Sequence, residues 1–131
     1  MIGARDFIGY FDWTFEYLRI NFGEAGVTEF FEETLAHRCN ADALVLFREK
    51  GLKGMAEYWS YAFGVGPKTT LTADFFRFEM HDCASKRFLM ERGQQAYHDF
   101  CEHCMGWIKV VAAETGFSVD HEHNHYGQCW W

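Results

Sequence analysis

The sequence predicts an α+β fold, with a helical N-terminal half followed by a small antiparallel three-stranded sheet packed by one long helix. Three observations carry that expectation. Apolar residues recur at helical spacing from Phe7 to Phe63. From Thr70 to Met80 they alternate instead, as on a half-buried strand. Helical spacing then returns for a long stretch before two short strand-like runs. A chain of 131 residues, 49% of them apolar and 19% aromatic, is long enough for one real core, so residues 1–131 are read as a single domain.

The first helix is expected over residues 3–22. Phe7, Phe11, Phe15, Leu18 and Phe22 form one apolar stripe, and Tyr10, Trp13, Tyr17 and Ile20 form a second. A helix apolar on two sides is buried on both or meets another subunit, which points to a homodimer. Gly23 closes it. Residues 24–38 form a second helix with Val27, Phe31 and Leu35 inward and Glu24, Glu29, Glu32 and Glu33 outward. Asn40 or Asp42 caps a third helix carrying Leu44, Phe47, Met55, Trp59 and Phe63, which Gly51 and Gly54 weaken midway. Gly64-Val65-Gly66-Pro67 ends it and contains the only proline. The strand from Thr70 to Met80 comes next. Residues 84–92 make a short helix stopped by Gly93, and residues 94–115 make the long one, stopped by Gly116. Residues 117–123 and 127–131 are the last two strands, joined by a tight turn.

Several classes of function are excluded or made poor by composition. The net charge of −7, with no basic stripe, argues against nucleic acid. No apolar run reaches the ~20 residues of a membrane span, and the N-terminus has no signal-peptide pattern, so a cytoplasmic protein is expected. Five cysteines, an odd number without a leader, argue against a secreted disulfide framework. Cys39, alone at a helix end, reads as a buried hydrophobe. Fingerprints for covalent haem, P-loops, dinucleotides and serine hydrolases are absent.

The chemistry concentrates in the last third. Within the long helix Tyr97, Cys101, Cys104, Ile108 and Val111 share a face, which makes the two cysteines neighbours. Such a pair binds metal, cycles through a disulfide, or simply fills the core. The redox reading is disfavoured because the motif should open a helix, and the spacing places it inside one. In Phe117-Ser118-Val119-Asp120-His121-Glu122-His123-Asn124-His125, strand alternation that buries Phe117 and Val119 also turns His121 and His123 inward. Buried imidazoles need partners, so a metal, a polar network or a frayed exposed end are the three readings. Cys101, Cys104, His121 and His123 together match tetrahedral Zn²⁺, with Fe²⁺ as the alternative. Cys83 and Cys129 are further candidate ligands. His125 and His103 are candidate proton-transfer groups.

The order Asp82-Cys83-Ala84-Ser85-Lys86, then Tyr97-His98-Asp99-Phe100-Cys101-Glu102-His103-Cys104 with Trp107 and Gly116, then Gly127-Gln128-Cys129-Trp130, resembles the L-2-amino-thiazoline-4-carboxylic acid hydrolase-like group of small α+β proteins. The resemblance spans residues 75–131. It implies site positions at Cys83, Cys101, Cys104 and Cys129 and hydrolytic opening of a cyclic amidine-like ring. The histidine run is no part of it. The expected function is therefore a small metal-binding protein, read as a metal-dependent hydrolase of a small cyclic amidine or amide substrate. The alternative is a non-catalytic structural or sensory metal module that dimerises through its aromatic N-terminal helices.

Overall fold

The computed structural model describes residues 4–64 and 66–131. Residue 3, where the first helix is expected to begin, and Val65 lie outside the described residues. The architecture is α+β: helices α1 (Ala4–Glu29), α2 (Ala41–Lys50), α3 (Leu52–Phe63), α4 (Ala84–Arg92) and α5 (Glu102–Glu114), a π-wound segment Phe30–Cys39 that continues α1, and strands β1 (Lys68–Leu71), β2 (Phe76–Met80), β3 (Glu122–His123) and β4 (Cys129–Trp130). The sheet has four strands, not three, all antiparallel in the order β1-β2-β4-β3. The extra strand arises because the expected strand over 70–80 is a hairpin. Thr72 Oγ1 accepts the Asp74 and Phe75 amides, a hydroxyl turn that reverses the chain.

Gly23 does not end the first helix but kinks it, at φ 73°, and the chain stays helical on both sides. Of the two stripes on α1, the inner one is partly buried: Phe15 is fully enclosed, whereas Phe7 and Phe22 are exposed. The second stripe, Tyr10, Trp13, Tyr17 and Ile20, faces outward along its whole length. Val27, Phe31 and Leu35 enter the core as their spacing predicts. The third helix breaks at Gly51, whose φ of 57° and ψ of −135° an L side chain rarely adopts. Cys39 is exposed, because it lies where the π-wound segment gives way to the turn before α2.

The core is an aromatic lattice. Phe15 meets Phe31 edge-on at 4.9 Å, Trp59 stacks on Trp107 at 6.0 Å, and Trp131 stacks on Phe78 at 4.3 Å. Trp131 also exchanges both backbone hydrogen bonds with Phe78, at 2.8 and 3.0 Å, so the C-terminal residue extends the β2–β4 ladder. Trp59, Phe78 and Trp107 are buried core residues.

The long helix is shorter than its periodicity predicts: residues 94–101 are loop and turn. The cause is a buried acid. Asp12 is 0% exposed, and its carboxylate accepts the Ala96 amide at 2.6 Å and the Tyr97 amide at 3.1 Å. Gln95 donates to the Tyr97 carbonyl at 2.8 Å. It donates to the His98 carbonyl as well, at 3.3 Å, so Gln95 holds two carbonyls that a helix from residue 94 would give to its own amides, and the helix starts late. Cys101 is consequently the residue that caps α5, and Cys104 lies in its first turn. No helix among the described residues is long and apolar enough to cross a membrane.

Candidate metal centre

The strand that carries the histidines is much shorter than expected. Only Glu122 and His123 pair, with Trp130 and Cys129 respectively. Residues 117–121 are extended but unpaired, so nothing holds the alternation through His121, and His121 is exposed. Beyond His123 the chain turns. The Asn124 carboxamide oxygen accepts the Tyr126 amide at 2.9 Å, and Gly127 takes φ 88°. His125 adopts φ 62°, the only non-glycine residue with positive φ among the described residues. A bulky side chain in the left-handed region is strained, and such strain is a feature of functional sites.

This turn folds His125 back beside His123, with ring centroids 4.2 Å apart. Across from them lies the N-terminal end of α5 and the turn before it, which deliver Asp99 and Glu102. Two groups of three ligand atoms result, each lying within 4.8 Å of one another: Asp99, His123 and His125, and Glu102, His121 and His123. His123 belongs to both, and its side chain is only 10% exposed. Its Nε2 meets Glu102 Oε1 at 2.5 Å. Its Nδ1 is buried with no hydrogen-bond partner. Asp99 Oδ1 is buried and equally without one, since His125 Nδ1, at 3.1 Å, is outside hydrogen-bonding geometry.

Two residues of the same group of three thus each carry an orphaned buried atom. An unsatisfied buried polar atom costs ~1–3 kcal/mol, and natural structures seldom leave two side by side. The Glu102 contact on the opposite nitrogen fits the same pattern. A ligating histidine normally gives its other ring nitrogen to a carboxylate, which sets tautomer and ring orientation. Asp99, His123 and His125 therefore form a two-imidazole, one-carboxylate set, with Glu102 steadying His123 from behind. His121, stacked on His123 at 6.1 Å, stands at the edge.

The thiols predicted as ligands are elsewhere. Cys83, Cys101, Cys104 and Cys129 all line one small cavity behind the imidazoles, together with His103 and both His121 and His123. Their sulfurs belong to neither group of close ligand atoms. Cys101, Cys104, His121 and His123 therefore border one cavity without their donor atoms closing to within 4.8 Å of one another, because β3 is too short to bring both imidazoles up to the thiols. All four thiols are free. Burial is the main influence on each and favours the neutral thiol, pushing Cys101 up to about 11 and Cys104 and Cys129 up to about 12. Cys83 is raised for the same reason.

His103, the other candidate proton-transfer group, packs into the aromatic core. Its ring packs against Phe100 at 4.6 Å and Phe15 at 5.5 Å, its Nδ1 meets the Phe100 carbonyl, and its Nε2 lies 3.5 Å from Cys104 Sγ. Burial holds its pKa below the ordinary value, so it stays neutral in the core. His125, expected to move protons, is instead a candidate ligand.

Asp99 and Glu102 escaped the sequence reading. The available signal was their spacing of three straddling Cys101, which puts both on the side of a helix start that faces a histidine run. Beside them opens a cleft of about 300 Å³ lined by Glu24, Tyr97, Asp99, Glu102, Lys109 and His121. Tyr97 donates to Glu24 at 3.0 Å, and Lys109 pairs with Glu32 at 3.0 Å. Of the glutamates expected as solvated helix faces, Glu24, Glu29 and Glu33 are exposed, and Glu24 and Glu32 also wall this cleft.

No protein-family model, curated protein or solved structure matches this chain. The resemblance carried by Cys83, Cys101, Cys104 and Cys129 rests on those residues alone.

Proposed function

We propose that this protein binds a divalent transition metal, Zn²⁺ or Fe²⁺, through Asp99, His123 and His125, and uses it to hydrolyse a small amide or cyclic amidine. The observation that carries the reading is that His123 and Asp99, members of one ligand group, each carry a buried atom without a partner, Nδ1 and Oδ1 respectively. Three protein ligands leave coordination positions open, the arrangement of catalytic rather than structural sites. Exposure agrees with this: His125 is 53% and Asp99 30% exposed, so the site has a solvent-facing side.

A bound ion would supply Lewis acidity and lower the pKa of a water toward ~7. The chain's own residues do the rest. Glu102 fixes the His123 ring, His121 lies where it can take and return a proton, and the adjoining cleft is large enough for a small heterocycle. Water adds to the amidine or carbonyl carbon, the C–N bond breaks, and the leaving nitrogen takes the proton. The resemblance to the thiazoline hydrolase-like group supports a cyclic amidine. The five free thiols suit a reducing, cytoplasmic compartment.

A second reading, a non-catalytic metal module that dimerises, is favoured by one feature: the outward stripe of Tyr10, Trp13, Tyr17 and Ile20 on α1. Elemental analysis of untagged protein tests both. Metal should be present at one equivalent in the wild type and lost in His123→Ala and Asp99→Asn. Unchanged metal content in both variants refutes the site. Metal retention with no turnover of any cyclic amide or amidine leaves the module reading.

A further inference from the structure

The cavity behind the imidazoles holds a second, chemically different set of ligands. It has a volume of about 50 Å³, room for an ion with a water or two and too little for an organic substrate. Cys83 enters from the start of α4, Cys101 and Cys104 from the first turn of α5, and Cys129 from β4. Met105, 5% exposed, adds a thioether to the wall.

Lys86 lines the same cavity and is itself 5% exposed. Its Nζ donates to Gln95 Oε1. No carboxylate among the ion pairs of the described residues reaches it. A buried ammonium without a counter-charge is expensive, and here the groups able to supply one are thiols. Cys101 is the best placed. It lines the cavity with Lys86 from the N-terminal end of α5, where the helix dipole favours an anion.

We propose that this cavity is a binding site for a single soft monovalent ion, copper(I), held as a bis-thiolate by Cys101 and Cys104 with Lys86 as its counter-ion. The charges select the ion. Two thiolates on a monovalent cation carry one net negative charge, which the Lys86 ammonium cancels within the buried cavity. A divalent ion on two thiolates would leave the cavity with a net positive charge. The four cysteines and Met105 give the lining five soft sulfur donors and no carboxylate, a set that favours copper(I), with His103, His121 and His123 at its border. Binding replaces the two S–H bonds with two Cu–S bonds and releases two protons to solvent. Cys83 and Cys129 close the wall around the ion. The site shares the His123 wall with the imidazole–carboxylate centre but takes its ligands from the thiols.

The test is an anaerobic titration of the reduced full-length protein with copper(I) buffered by the chromophoric chelator bicinchoninate. The wild type should withdraw one equivalent. Cys101→Ser should withdraw none, Lys86→Met should bind roughly 10–100-fold more weakly, as losses of groups around a metal's ligands do, and His123→Ala should match the wild type. X-ray absorption on the wild-type complex needs no variant and should show sulfur-only coordination. Failure to withdraw copper, nitrogen or oxygen ligation, or an unweakened Lys86→Met overturns the proposal. Loss of copper in His123→Ala would assign the metal to the other centre and overturn it equally.

Discussion

Asp12 is the residue whose removal should do most damage for its size. It sits in the middle of α1 at 0% exposure, and its two oxygens hold the amides of Ala96 and Tyr97, more than eighty residues away. Replacing it with alanine deletes two charge-assisted hydrogen bonds and strands two buried N–H donors. Each such bond is worth ~1.5–3 kcal/mol; the carboxylate's own burial cost is recovered, so the net loss is about 3–5 kcal/mol. Asp12→Asn keeps the shape and one acceptor but turns an amide N–H₂ toward the second donor, for a loss of about 2 kcal/mol. With a urea m-value of ~2 kcal/mol/M, the alanine midpoint should fall by about 1.5–2.5 M, read by circular dichroism. Hydrogen exchange should speed selectively at Ala96 and Tyr97 in both variants. Metal affinity should fall as well, because the clamped loop carries Asp99. A midpoint shift under about 0.5 M with unchanged slope in Asp12→Ala would refute the clamp.

Gly106→Ala would place a Cβ 2.6 Å from Phe31 Cβ and 2.8 Å from its ring, where α5 crosses the π-wound segment. Overpacking of ~1–3 kcal/mol exceeds the ~1 kcal/mol gain in helix propensity, so the melting temperature should drop, and a rise would contradict the packing. His37 Nε2 meets Glu114 Oε1 at 2.6 Å, and that hydrogen bond raises the histidine above its ordinary 6.5. A raised folded-state value means this contribution is complete below pH 6.5 and fades as pH climbs through the folded pKa, by up to ~1 kcal/mol for so exposed a pair. The stability difference between wild type and His37→Gln should therefore shrink from pH 6 to pH 9; a constant difference would dismiss the linkage. If the outer stripe of α1 is a subunit contact, Trp13→Glu should convert a dimer to a monomer in light scattering. A wild type already monomeric at high concentration removes that idea.

The sequence carried the two-period organisation because hydrophobic periodicity is a local property. Val27, Phe31 and Leu35 are buried where their spacing places them, α4 stops at Gly93 in the left-handed conformation, and Gly51 breaks the third helix. The misses share a cause. Residues 94–101 have a helical pattern, but a carboxylate from α1 claims their amides, and no window around Ala96 contains Asp12. The hairpin at Thr72 hid inside a run of β-formers, because one hydroxyl outweighed the alternation. The histidine run has the alternation of a continuous strand, although β3 spans two residues and His125 turns back at φ 62°.

By itself the sequence determined the class of the fold, the breaks at Gly51 and Gly93, the inward stripe of Val27, Phe31 and Leu35, and the presence of a dense set of thiol and imidazole donors near the C-terminus. Those follow from residue type and neighbours along the chain. Only the tertiary structure decided which donors stand together: Asp99 and Glu102 join the imidazoles, and the thiols gather with Lys86 in a cavity behind them. That sorting is set by where α5 begins and where the last turn reverses. Both are fixed by contacts between residues far apart in the chain, whose strength no local pattern reports.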